Sequence, residues 1–104
     1  MIPKNRRPTH PGEMLKKNYL KPRRVTYRAL ALATGLSSKH WSNIVNGKAR
    51  ITPVTAMKLA AVFDTTPELW MNAQRNVDFF DAQQELTQWK PKKVFKMKGS
   101  VATK

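Results

Sequence analysis

The sequence predicts an all-α protein of five helices, followed by a basic C-terminal tail. Apolar residues recur at spacings of three and four along most of the chain, which is typical of helices that bury one face. No alternating run of polar and apolar residues is long enough to indicate a strand, although the short segment Lys92–Met97 could pair as one. We therefore expect one domain over residues 1–89, with an extended fifth helix, and a tail over residues 90–104 that is partly ordered at most.

The limits of the five helices are predicted from capping residues and helix breakers. Ser and Thr side chains accept hydrogen bonds at helix starts, and proline fits the first turn. Such signals open the five segments: His10-Pro11, Thr26, Ser37, Thr52-Pro53 and Thr66-Pro67. Glycine, or a residue before proline, favours a helix end. The predicted ends are Lys21-Pro22, Gly35, Gly47 and Lys90-Pro91. The fifth helix could reach Gln88 before the last of these breaks it.

The apolar positions of these helices form the predicted core. Helical spacing places the following side chains inward: Leu15, Tyr19, Leu20, Leu30, Ala31, Ala33, Trp41, Ile44, Val45, Ala56, Leu59, Ala60 and Phe63. The same spacing predicts burial of Trp70. Trp89 lies beside the basic tail, and its role stays open.

Charge is distributed unevenly along the chain. The net charge is +14, from 20 Lys and Arg against 6 Asp and Glu. Residues 1–63 carry +12, residues 64–89 carry −4 and residues 90–104 carry +6. A basic field of this size attracts polyanions, so a nucleic-acid partner is the leading hypothesis. A ribosomal-type or merely solubilising basic surface is the alternative.

Several classes of protein are disfavoured by what the sequence lacks. There is no cysteine, which excludes disulfides, iron–sulfur clusters and thiol catalysis. No segment has the roughly 18 apolar residues of a membrane span. His10 and Glu13 could share a helix face, but no third metal ligand or partnered nucleophile is in register. We therefore expect no enzyme activity, no metal, no cofactor and no membrane association, and a cytoplasmic location.

Residues 27–47 have the spacing of a helix-turn-helix motif. Two helices that cross steeply need a small residue where they approach, and Ala31 provides it. Gly35, four residues later, can leave the first helix in a left-handed conformation. Trp41 and Ile44 follow Ala31 by ten and thirteen residues, so both can pack against that helix. An ordinary helical hairpin within a bundle is the alternative.

These residues resemble the helix-turn-helix of phage-repressor-type (Cro/cI, or XRE) regulators, and their flanks resemble HigA-type antitoxins. The first likeness rests on Ala31, Gly35-Leu36-Ser37, Trp41-Ser42 and Asn46-Gly47-Lys48. The second rests on more specific runs: His10-Pro11-Gly12-Glu13-Met14-Leu15, Ile51-Thr52-Pro53, Lys58-Leu59-Ala60 and Thr66-Pro67-Glu68-Leu69-Trp70-Met71-Asn72. Together they span residues 8–82 and leave out residues 90–104.

Three positions depart from the family pattern. The family commonly has a glycine before the second helix, where this chain has Arg23-Arg24. It commonly has a smaller aliphatic residue at the position of Trp41 and phenylalanine at that of Leu69. The first departure affects the turn into the second helix, and the other two indicate repacking of the core.

The resemblance, and not the composition, implies a toxin–antitoxin function. A HigA-type antitoxin would neutralise a RelE-like mRNA endonuclease (HigB toxin) and repress its own operon by binding operator DNA as a homodimer. A stand-alone helix-turn-helix repressor without a toxin partner is the close alternative. An RNA-binding or ribosome-associated protein is the third.

The helix-turn-helix register assigns the DNA contacts. Side chains at the start and on one face of the third helix should reach base edges: Ser38, Lys39 and Asn43. Lys can donate to guanine, and Asn can pair with adenine. Phosphate contacts are expected from helix ends and flanking loops: Thr26, Tyr27, Arg28, Asn46, Lys48 and Arg50.

Protein partners are expected on the fifth helix. The fifth helix has more apolar positions than the core of so small a domain requires, which predicts a dimer interface on this helix. The predicted interface residues are Leu69, Ala73, Val77 and Phe80. A toxin that acts on ribosome-bound mRNA should be basic, so the acids of this helix are the expected toxin contacts: Glu68, Asp78, Asp81 and Glu85. The N-terminal ten residues are the alternative toxin site, and the acids could instead merely offset the basic field.

Overall fold

The computed structural model describes residues 6–96, and over that range the chain is all-helical without a strand. The first helix, α1, is continuous from an α-helical turn (Pro11–Met14) through a π-helical segment (Leu15–Leu20) to a last α-helical turn (Lys21–Arg23). It is followed by α2 (Tyr27–Thr34), α3 (Ser38–Val45), α4 (Pro53–Phe63) and α5 (Pro67–Glu85). The predicted five-helix fold is confirmed.

The predicted caps start the last four helices. In each, the side-chain oxygen of the cap accepts a hydrogen bond from the backbone N–H three residues on; the caps are Thr26, Ser37, Thr52 and Thr66. Gly35 ends α2 with a φ of 80°, as its lack of a β-carbon allows. The fifth helix ends at Glu85, three residues before its predicted limit.

Proline at position 22 does not end α1, contrary to the prediction. Its ring would clash with the carbonyl four residues back in a regular helix. The π-helical segment precedes it, and there the Lys21 N–H bonds the Lys16 carbonyl. The Arg23 guanidinium donates to the Asn18 carbonyl at 3.1 Å, the group that an N–H at position 22 would bond. The wider turn and this side-chain bond let the helix continue to Arg23.

Arg24 ends α1 in the left-handed region, with φ 54° and ψ 40°. This is the link where the family commonly has glycine, and a side chain there is strained by its β-carbon. We expect Arg24→Gly to raise the free energy of unfolding by about 1 kcal/mol. Arg24→Ala removes the same charge but keeps the strain, so it should not stabilise the fold. Thermal unfolding of the two variants checks this, and equal melting temperatures would contradict it.

The core lies among all five helices, as the apolar spacing predicts. Trp41 and Trp70 are fully buried. The indole N–H of Trp41 donates to the Thr34 hydroxyl at 3.0 Å, and that of Trp70 donates to the Thr65 hydroxyl at 2.8 Å. Because both polar atoms are satisfied, burial of these rings carries little penalty. Ala33 is the one predicted core residue that is exposed.

The start of α1 packs directly on the end of α3. A β-carbon built at Gly12 would lie 1.8 Å from the Ile44 carbonyl oxygen, so only glycine fits there. His10 caps the same turn, because its Nδ1 accepts the Gly12 N–H at 2.9 Å. The turn formed by His10, Pro11 and Gly12 therefore packs against the end of α3 and fixes its position.

The described part of the tail, residues 90–96, is exposed and has neither helix nor strand. The remainder of the predicted tail, residues 97–104, lies outside the described residues. Within residues 6–96, no helix has both the length and the apolar character that a bilayer crossing requires.

Candidate nucleic-acid interface

Helices α2 and α3 form the motif that the spacing predicts. The Gly35 N–H bonds the Ala31 carbonyl at 2.8 Å, which closes the end of α2. The Lys58 ammonium, from α4, donates to the Thr34 carbonyl at 2.7 Å. Since a cation at a helix C-terminus offsets the dipole, this contact fixes the end of α2 against α4. Lys58 was part of the family resemblance, but its capping role was not predicted.

The predicted base-reading residues lie on α3. Ser38 and Lys39 are exposed at its N-terminus, whereas Asn43, one turn after Lys39, is half-buried. The Ser37 hydroxyl accepts the His40 N–H at 3.0 Å and so holds the first turn. Lys39 and Asn43, four residues apart, therefore lie on one face of this helix.

The predicted phosphate contacts lie around this helix pair. Thr26 and Arg28 are exposed, and Tyr27 is half-buried, at the first turn of α2. The free N–H groups of such a turn suit a phosphate oxygen. Lys48 is exposed in the turn after α3. Asn46 is exposed as well, and its amide donates to the Ser42 hydroxyl at 3.3 Å.

Arg50 is exposed but already paired. Its guanidinium binds both oxygens of Asp78 on α5, and this hydrogen bond holds the pKa of Asp78 below its ordinary range. Gln74 is buried beneath this pair: its amide donates to Asp78 at 3.0 Å, and its carbonyl accepts the Ile51 N–H at 2.8 Å. This network ties the segment after α3 to α5.

A groove beside α2 lies next to the predicted phosphate contacts. It has a volume of about 480 Å³ and is lined by Lys16, Lys21, Arg24 and Tyr27, among others. It adjoins the first turn of α2, where the phosphate contacts are predicted. The basic run at positions 16–24 is the sequence signal for it, but only the fold brings that run to the start of α2.

The expected toxin contacts on α5 differ in their surroundings. Asp78 is engaged by Arg50 and Gln74. Asp81 binds the Arg7 guanidinium through two hydrogen bonds of 2.9 and 2.8 Å, and this contact lowers its pKa. Glu68 and Glu85 are exposed. The Arg7–Asp81 pair joins the described part of the N-terminal arm, residues 6–10, to α5. The rest of that alternative toxin site, residues 1–5, lies outside the described residues.

The predicted dimer stripe needs correction. Val77 and Phe80 are 2% and 9% exposed, respectively, so both are buried within their own chain. Ala73 is half-buried, and Leu69 is 37% exposed. Val77 and Phe80 therefore lie on the side of α5 that packs against the domain and offer little surface to a second chain. Leu69 and Ala73 stay predicted interface residues.

We expect the cap at His10 to make the stability of the fold depend on pH. Burial, and then the Arg7 charge, lower the pKa of His10 in the folded protein, although Asp78, Asp81 and Glu13 oppose the shift. The folded state therefore binds the proton more weakly than the unfolded chain. The contribution of His10 is fully present above its ordinary pKa of 6.5 and is lost as the pH falls below it.

We expect the melting temperature to fall between about pH 7 and pH 5, above the range where Asp78 and Asp81 titrate. His10→Asn keeps an acceptor at the cap but does not titrate. Its melting temperature should therefore change much less over this interval. Calorimetry at several pH values tests this, and identical slopes for both proteins would rule out His10 as the cause.

Comparison with known proteins identifies the family. The sequence profile of the Cro/C1-type helix-turn-helix DNA-binding domain matches residues 17–68, half of the chain. The chain belongs to this family. Within residues 6–96 of this Cro/C1-type protein, no cluster of three or more His, Asp or Glu side chains could hold a metal ion.

Relatives of this Cro/C1-type chain include antitoxins. It is 46% identical over 78 residues to Antitoxin HigA-1 of Vibrio cholerae, covering 75% of this chain and 73% of that one. It is 42% identical over 92 residues to an HTH-type transcriptional regulator of Haemophilus influenzae, covering 83% and 86%. The solved structure of antitoxin GraA in complex with its operator matches with a TM-score of 0.77 at 30% identity, covering 91% and 100%. The resemblance to HigA-type antitoxins is thus confirmed.

Proposed function

We propose that this chain is the antitoxin of a toxin–antitoxin pair in the cytoplasm. It represses its own operon by binding operator DNA as a homodimer, and it neutralises a RelE-like mRNA endonuclease. The observation that carries the proposal is the exposed N-terminus of α3, with Lys39 and Ser38 at the surface of a strongly basic domain. GraA, with the same fold, is described with its operator.

In this proposal α3 lies in the major groove, and the two α3 helices of a dimer lie about 34 Å apart, one DNA turn. Thr26, Arg28 and Lys48 contact phosphates on either side. Lys21 and Arg24 join them through the groove beside α2. Arg50 contributes less, because Asp78 neutralises its charge.

We place the toxin contact where the N-terminal arm meets α5. A toxin that cleaves ribosome-bound mRNA is expected to be basic, and the Arg7–Asp81 pair is half-exposed. A toxin guanidinium or ammonium group can compete with Arg7 for Asp81. Charge complementarity of this kind chiefly speeds and orients association.

The experiment separates the two activities. The chain is co-expressed with the product of the neighbouring gene, and rescue of growth and binding to the operon's promoter are measured. We expect Asp81→Lys to weaken rescue but not promoter binding, and Lys39→Ala to do the reverse. If Asp81→Lys leaves the rescue of growth unchanged, the toxin contact lies on another surface. Absence of any toxic neighbour, with promoter binding intact, would contradict the antitoxin role.

That last outcome would favour a stand-alone repressor, the second candidate function. The relative from Haemophilus influenzae, described only as a transcriptional regulator, supports this alternative. Equal affinity for structured RNA and for the promoter would contradict both and indicate an RNA-binding protein.

A further inference from the structure

Thr34, the last residue of α2, is a buried polar residue between the two helices of the motif. Its hydroxyl donates to the Leu30 carbonyl at 2.7 Å and accepts the Trp41 indole N–H at 3.0 Å. It also accepts the Leu36 N–H at 3.3 Å. A hydroxyl has one donor hydrogen and two acceptor lone pairs, so its full capacity is used. This single oxygen therefore links α2, the turn and α3.

The backbone of the same residue is bound to a third helix. The Lys58 ammonium, on α4, donates to the Thr34 carbonyl at 2.7 Å, and the Lys58 side chain is half-buried. A β-carbon at Gly35 would lie 3.8 Å from that ammonium, so the lysine reaches across the turn itself. Because Lys58 holds the end of α2 against α4, Thr34 has little freedom to move. The hydroxyl is thus a fixed point against which α3 is set.

Trp41 connects this fixed point to α3. It lies in the middle of that helix and is fully buried. A hydrogen bond is directional, so the bond to Thr34 fixes the orientation of the indole ring as well as its depth. Buried polar groups whose hydrogen bonds are all satisfied make a core rigid and specify one arrangement of it. The rotation of α3 about its own axis is therefore set by this bond.

That rotation decides where the base-reading side chains point. Lys39 and Asn43 each lie two residues from Trp41, about 160° around a helix with 3.6 residues per turn. With Trp41 held on the inner side, both therefore stand on the outer side. A rotation of roughly 20° would move an atom about 6 Å from the helix axis by about 2 Å. A shift of that size breaks a hydrogen bond to a base edge.

We infer that Thr34 is a positioning residue for sequence reading: through Trp41, its hydroxyl sets the rotation of α3 that brings Lys39 and Asn43 to the base edges. The inference rests on the operator binding proposed above and adds a buried residue to the groups that determine its specificity. A residue that only stabilised the fold would change the melting temperature. It would leave the preference of the folded protein for one DNA sequence unchanged.

The first test measures the ratio of promoter affinity to random-DNA affinity, well below the melting temperature of every variant. Thr34→Val removes the hydroxyl at nearly the same shape and should lower this ratio by about 10-fold or more. Affinity for random DNA depends on phosphate contacts and should change little. Thr34→Ser keeps the hydroxyl and should stay close to the parent. An unchanged ratio in Thr34→Val would overturn the inference.

The chain offers a matched control at another junction. The Thr65 hydroxyl, between α4 and α5, accepts the Trp70 indole N–H at 2.8 Å. This bond has the same chemistry but lies outside the helix-turn-helix. Thr65→Val should lower the melting temperature, as Thr34→Val does, without changing the affinity ratio. If both variants lower the ratio equally, the loss reflects general destabilisation and the inference is overturned.

A double-mutant cycle isolates the bond between the two side chains. Trp41→Phe removes the indole N–H but keeps an aromatic ring in the core, so it should lower the affinity ratio as Thr34→Val does. Since both substitutions break the same bond, the combined variant should lose little more than either alone. Losses that multiply would show that Thr34 acts by a route other than Trp41 and would overturn the inference.

The parent chain distinguishes this inference from the function on which it rests. A parent that binds promoter and random DNA equally would contradict the proposed operator binding, and the inference with it. A parent that prefers the promoter, with the same preference in Thr34→Val, would overturn the inference and leave the proposed function intact.

Discussion

Gly12→Ala is expected to destabilise the fold by about 3 kcal/mol or more, because overpacking against backbone cannot be relieved by a side-chain rotation. The added β-carbon would lie 1.8 Å from the Ile44 carbonyl oxygen and 2.9 Å from the Val45 α-carbon. Either α1 or the end of α3 must move. A loss of this size should lower the melting temperature by roughly 12 °C or more in a domain of this length.

Gly47→Ala is the matched control for this substitution. Unlike the helical Gly12, Gly47 has a left-handed φ of 75°, but nothing lies within 4 Å of its β-carbon position. It should cost only the backbone strain of about 1–2 kcal/mol. If Gly12→Ala melts no lower than Gly47→Ala, the close approach of α1 to α3 is wrong. Should Gly12→Ala remain folded but displace α3, promoter affinity would fall even at temperatures where the variant is intact.

Local signals in the sequence were sufficient to predict most of the fold. A cap acts within three residues of itself, so Thr26 and Thr52 identify the helix starts without knowledge of the remaining chain. Apolar spacing within a helix identifies Trp41 and Ile44 as core residues for the same reason. The helix-turn-helix register, and with it the exposure of Lys39, followed from such local patterns.

Features of the fold that depend on contacts between residues far apart in the sequence could not be predicted. Two apolar stripes run along α5, one through Val77 and one through Phe79, and periodicity alone cannot say which of them the domain buries. The prediction chose the first for the dimer interface, and the fold buries it. The pairing of Arg50 with Asp78 joins residues 28 positions apart, so their charges gave no sign of it. The continuation of α1 past Pro22 likewise depends on the π-helical segment that precedes the proline.

The second large effect is expected in sequence readout. Lys39→Ala and Asn43→Ala should each weaken binding to the promoter by about 1–3 kcal/mol and relax the preference at one position of each half-site. Among residues 6–96, neither side chain makes a hydrogen bond that serves the fold. The Asn43 backbone carbonyl, which accepts from the Lys48 N–H at 2.8 Å, is unaffected by the substitution. Competition binding against single-base variants of the promoter measures the effect.

Substitutions at two predicted phosphate contacts serve as the comparison for the base-reading substitutions. Lys48→Ala should weaken binding to promoter and random DNA alike and reduce the slope of log affinity against log salt by about 1 per site. Arg50→Ala should change that slope less, because its charge is already neutralised by Asp78. The register of α3 is refuted if Lys39→Ala and Asn43→Ala lower affinity for random DNA as much as for the promoter. In that event α3 contacts only the backbone, and the bases are read by another element, of which the start of α2, with Arg28 exposed on it, is the nearest.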